Sequence, residues 1–192
     1  MLFFDSHKQN IKAYTIMDTG ISNFTNINNY LPILNGAILT EVIVLLLCLF
    51  KVINNTQLNE WYKKINITAV IADVLILVIG IILARFFYYK IFIQYSLLNF
   101  IILAVIIQTI HDILFGIFIY YFPKNKSDIM DLFKKYSFGN NFKNVFVILI
   151  CDAVMIVSTI LFASLLNNYT LNTNIILVIV LLYLFPYLLN SF

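Results

Sequence analysis

Five apolar stretches, each long enough to cross a bilayer, run along this chain, and four of them carry an acidic side chain well inside: Glu41, Asp73, Asp112 with His111 beside it, and Asp152. A spanning helix needs about 20 apolar residues, and hydrocarbon offers no partner for an open backbone amide, so runs of this kind fold as helices. A carboxylate deep in such a helix costs roughly 2.5–3.5 kcal/mol on insertion scales, so each acid needs a partner, a proton or a task. The pattern predicts an all-α, polytopic membrane helix bundle with something polar at its centre.

Composition closes off the alternatives. With 62% hydrophobic and 11% charged residues the chain lies far from the soluble norm of roughly 25% charged. Its 192 residues suffice for one bundle of five helices with little outside the membrane. The net charge of +3 comes without a basic cluster, which argues against nucleic acid as a partner. Cys48 and Cys151 both fall inside apolar spans without metal or disulfide spacing, and are expected to be small buried hydrophobes. The polar tail, residues 1–30, lacks the basic start and apolar run of a cleavable signal, so the first span is expected to do the targeting.

The spans are expected at 31–53, 65–89, 97–122, 144–166 and 174–189, with Pro186 kinking or ending the last. Lys51, Lys63, Lys64, Lys124, Lys126, Lys134, Lys135 and Lys143 lie in or beside the first and third connections, against Lys8, Lys12, Arg85 and Lys90 on the opposite side. The positive-inside rule then puts the N-terminus outside or in a lumen and the C-terminus in the cytoplasm. Within the longest connection, Ile129, Met130, Leu132, Phe133 and Tyr136 recur at helical spacing after Ser127 and before Gly139. That predicts a short amphipathic helix over about 128–138, either lying in the interface or packed on the bundle. Trp61, Tyr62, Tyr88, Tyr89, Tyr120 and Tyr121 fall at span ends, where aromatic belts are expected.

Depth is the informative property of the acids. With ~1.5 Å rise per residue and alternating helix directions, all four fall roughly 12 to 18 Å from the same face and can form one layer. Gln108, His111 and Asp112 share one helix face, and Ala69, Asp73, Gly80 and Ala84 line another whose small residues permit close helix approach. Four acids face one histidine here, and Arg85 lies about twelve residues beyond Asp73. The acids therefore cannot all be ionised and paired with protein bases. Either some are protonated or a cation is bound.

Three readings follow. The layer is structural glue between helices; or it handles protons or cations through Asp73, His111, Asp112, Asp152, Glu41 and Gln108; or Asp73, His111, Asp112 and Asp152 hold a divalent cation for an intramembrane enzyme. The enzyme reading ranks last, because HExxH, a nucleophile elbow and a phosphate-binding glycine loop are all absent.

The segments from Ala69 to Arg85, from Ile107 to Phe115, and from Asn172 through Tyr187 resemble a family of small multi-pass membrane proteins of nucleocytoplasmic large DNA viruses, the giant viruses of algae and protists. The resemblance extends from Trp61 onward. It implies a viral or remodelled host membrane, draws attention to Asp73, His111, Asp112 and Asp152, and assigns no activity. The role expected is that of a structural or assembly component of such a membrane, in contact with lipid and with further copies or other membrane proteins, with proton or cation conduction as the alternative.

Overall fold

The computed structural model describes residues 20–53, 55–123, 126–137 and 142–192. Most of the polar tail, residues 1–19, and the expected stop at Gly139 lie outside the described residues. Two 3₁₀ turns, Gly20–Ser22 and Ile27–Asn29, lead into helix α1, Tyr30–Leu49. There follow α2 (Thr56–Ile65), α3 (Ile67–Ile91), α4 (Leu97–Tyr121), α5 (Asp128–Ser137), α6 (Phe142–Leu166) and α7 (Leu171–Leu189). The described residues are all-α, and five helices are long and apolar enough to cross a membrane.

Helix α1 is the axis of the bundle, with its most extensive packing against α6 and further contacts with α7 and α3. The close crossing with α6 follows from Gly36, where an added Cβ would stand 2.7 Å from the carbonyl oxygen of Thr159 and 3.0 Å from the amide nitrogen of Ala163. Small residues let two backbones meet in this way. Polar pairs fix the register. Thr159 donates to Thr40 Oγ1 at 3.1 Å, and Asn35 Nδ2 donates to the carbonyl and side-chain oxygens of Asn174 at 2.8 and 3.0 Å. The small stripe on α3 also faces inward: Ala69 and Ala84 are fully buried, and Gly80 makes room for Gln108 of α4 and Ile156 of α6.

The outer surface is apolar. Ile71, Leu75, Ile79 and Leu83 on α3, with Ile102, Ile106, Ile110 and Ile117 on α4, are exposed along continuous helix faces. Water would not tolerate a surface of this kind on a monomer, whereas lipid matches it. The five apolar helices are thus compatible with an integral membrane protein.

Several sequence expectations need correction. The first helix stops at Leu49 instead of 53, because Lys51 adopts φ 58° and the amides of Val52 and Ile53 turn back to the Leu47 carbonyl. The second span starts at Ile67 instead of 65, where Asn66 at φ 55° breaks the chain direction and its side chain caps the Ile67 amide at 2.8 Å. What precedes it is a separate amphipathic helix, α2, in which Leu58, Trp61, Tyr62 and Ile65 share one face. Trp61, Tyr62 and Tyr88 are buried in the bundle and belong to no belt, while Tyr89, Tyr120 and Tyr121 are exposed. Helix α5 begins as expected, with Ser127 Oγ accepting from the Met130 amide at 3.4 Å. Its apolar face packs on the bundle through Leu132 and Phe133, the latter 4.7 Å from the Trp61 ring. Helix α7 runs through Pro186 to Leu189, and Cys151 faces outward while Cys48 is buried.

Gly36→Ala should lower the stability of the purified protein by about 1–3 kcal/mol, since its new methyl meets backbone that cannot rotate away. Gly80→Ala should cost less, because the nearest atom, 2.7 Å away, is the end of the Gln108 side chain. Thermal unfolding in detergent micelles checks the order, and equal tolerance of both changes would contradict the close crossing.

Candidate functional site, a carboxyl layer at one end of the bundle

Helix lengths set the depth of each acid. Glu41 lies eight residues before the end of α1 and Asp112 nine before the end of α4, while Asp73 comes six after the start of α3 and Asp152 ten after the start of α6. At ~1.5 Å per residue these offsets are roughly 9 to 15 Å, all measured from the end of the bundle covered by α2 and α5.

The side chains form a connected series. Glu41 on α1 is fully buried, with the Tyr62 hydroxyl of α2 beside it and Asp73 of α3 within electrostatic reach. Among the described residues no partner meets strict hydrogen-bonding geometry at either Glu41 oxygen or the Tyr62 hydroxyl, although the two groups lie close enough to interact. Asp73 Oδ2 accepts from the indole Nε1 of Trp61 at 2.9 Å. Asp152 on α6 is close enough to both Asp112 and Asp73 to feel their charge. Asp112 Oδ1 accepts from Gln108 Nε2 at 2.8 Å and lies 3.2 Å from His111 Nδ1, while Oδ2 has no hydrogen-bond partner. The series runs from the protein interior at Glu41 to His111, whose side chain is 35% exposed against 13% for Asp112.

Electrostatically the layer is one-sided. No lysine or arginine pairs with any of the four acids among the described residues, and Arg85 sits at the opposite end against residues 23–30. Tyr62 remains a neutral phenol: burial holds its hydroxyl well above the usual range, and the nearby Glu41 and Asp73 charges push the same way. It thus presents a proton to Glu41 and no charge.

The four candidate metal ligands do not close on a single point. Among the described residues no three His, Cys, Asp or Glu side chains gather closely enough to hold a metal ion. Asp73, His111, Asp112 and Asp152 are instead strung out from α3 through α6 to α4. Two threonines nearby lie apart from the series: Thr109 bonds its own helix at the Val105 carbonyl, and Thr159 bonds its own helix at the Met155 carbonyl and meets Thr40 across the α1–α6 contact. The residues that sequence reasoning missed are Trp61 and Tyr62. Their signal was the spacing of Leu58, Trp61, Tyr62 and Ile65, a helix face too short to span and too apolar for a loop.

No protein-family profile, curated protein or solved structure matches the chain.

Trp61→Phe removes the indole donor from Asp73 and should destabilise by about 1–3 kcal/mol, the cost of a buried acceptor left without its bond. In an Asp73→Asn background the same change should cost measurably less, with a coupling of about 0.5 kcal/mol or more in a double-mutant cycle. Strictly additive losses would show that the indole and the carboxyl act independently.

Proposed function

We propose that this chain is a proton-handling integral membrane protein whose layer of Glu41, Asp73, Asp152, Asp112 and His111 takes up and passes protons. One observation carries the reading: a fully buried carboxyl beside a neutral phenol, in series with three further acids and, among the described residues, with His111 beside Asp112 as the one base against four carboxyl groups. Polar pairs that hold the helices together are already present elsewhere, at Thr40–Thr159 and Asn35–Asn174, and neither involves an acid. The immediate neighbours of the acids favour protons over metal cations. Asp73 faces the Trp61 N–H, Asp112 faces the Gln108 N–H, and Glu41 faces a phenol held in its neutral form. A cation site would turn oxygen lone pairs towards its ion instead.

His111 is the group through which protons enter and leave. Its side chain is more exposed than that of Asp112, which it meets at 3.2 Å, and an imidazole carries two ring nitrogens able to take and give a proton. The lysine asymmetry between the loops places this end at the cytoplasmic side, with the N-terminus outside or lumenal. Between the layer and Arg85 the core holds no ionisable side chain among the described residues, and Leu77, Ile81, Ile156 and Ile160 are buried around the paired Thr40 and Thr159 hydroxyls. Passage to the other face then requires the helices to move, so the expected flux is transporter-like and slow. The resemblance of the segments from Ala69 to Arg85 and from Ile107 to Phe115 supports placing the protein in a viral internal membrane or a host membrane altered by infection.

Reconstituted liposomes with an imposed potential test this reading. Wild-type protein should carry protons, and Asp112→Asn and Glu41→Gln, checked for folding, should lose about tenfold or more of the flux, since a positioned proton-transfer group contributes on the order of 10² or more. Absence of proton flux in the wild type from about pH 5 to pH 8 would overturn it and leave a structural membrane component.

A further inference from the structure

Arg85 is one of the most deeply buried charged side chains in the protein, 1% exposed, and it lies far from every acid of the layer. One nitrogen, Nη2, donates to the backbone carbonyls of Asn23 and Asn26, the second at 2.9 Å, and the Tyr30 ring covers the guanidinium with 4.5 Å from its carbon to the ring centre. These contacts clamp the segment 20–29 over the end of the bundle. They supply dipoles and a π-face but no negative charge, and among the described residues Nε and Nη1 have no hydrogen-bond partner.

The contrast with the carboxyl layer decides what this means. A buried acid that lacks a partner can take up a proton and become neutral. An arginine cannot shed its proton in a protein, so a buried guanidinium stays charged and calls for an anion. The described acids do not provide one: Glu41, Asp73, Asp112 and Asp152 belong to the layer, and Glu60 and Asp131 lie on α2 and α5 at that same end.

We propose that Arg85 anchors a site for a phosphate-class oxyanion, drawn from a lipid headgroup or from free phosphate. Arg85 lies six residues before the end of α3, ~9 Å along the helix, within reach of the headgroup level. Guanidinium is the side chain best suited to phosphate oxygens. The positive end of the α1 dipole begins at Tyr30, against the guanidinium, and adds to the attraction.

The test uses the full chain in a phosphate-free maltoside detergent. Inorganic phosphate and dihexanoyl phosphatidylglycerol are titrated separately at an ionic strength fixed with chloride, and the Tm is followed. The wild type should gain several degrees with at least one probe, and Arg85→Gln should lose that gain. A response to the lipid alone assigns a headgroup, and a response to inorganic phosphate assigns a small oxyanion; both support the site. The proposal falls if neither probe moves the wild-type Tm beyond chloride, which decides the matter even if the variant does not fold. It also falls if Arg85→Gln keeps the full gain, or if an Asp5→Asn/Asp18→Asn chain loses as many degrees as Arg85→Gln without added anion, since the counter-charge would then be the chain's own.

Discussion

The enclosure of α1 by α3, α6 and α7 is the constraint on which the rest of the structure depends. A helix surrounded on most sides can keep a polar group away from lipid and water alike, and Glu41 sits on that helix with no measurable exposure. The enclosure rests on backbone proximity at Gly36 and on neutral hydrogen bonds at Thr40 and Asn35, none of which involves an acid. These neutral pairs set the register of α1, while the acids add contacts of their own, Trp61 to Asp73 and Gln108 to Asp112.

Charge is separated along the bundle axis. The acids gather at the end covered by α2 and α5, and the buried guanidinium lies at the other end under the segment 20–29. Leu77, Ile81, Ile156 and Ile160 fill the space between them with apolar volume. Opposite charges kept apart across an apolar core cannot neutralise one another, so each end has to find its own solution. For the acids a proton suffices, whereas an arginine keeps its charge, which is why an anion is proposed beside it.

Much of this could be read from the amino acids. Five spans follow from the length of the apolar runs, and the common depth of the acids follows from counting residues back from the loops that join alternating helices. The small stripe of Ala69, Gly80 and Ala84 was legible because close helix packing selects small side chains. The helix α2 was not, because its ten residues fall between two spans and its break from α3 depends on a single backbone conformation at Asn66. Trp61 and Tyr62 consequently looked like interfacial aromatics, although their polar atoms point at the acids. Gly36 escaped notice for a different reason: one small residue on an apolar helix carries no signal until the partner helix, with Thr159 and Ala163, is known. Arg85 was visible as a charge in a span, but its burial depends on the fold of residues 20–29, which composition does not foretell.

The central claim is that the carboxyl layer holds exchangeable protons inside the bundle. Infrared spectroscopy of the protein in lipid, in light and heavy water, reads this directly through the carbonyl stretch of protonated carboxyl groups. The account predicts such a band near neutral pH, shifted by heavy water, weakened in Glu41→Gln and diminishing as the medium becomes alkaline. A spectrum with carboxylate bands alone at neutral pH would contradict it.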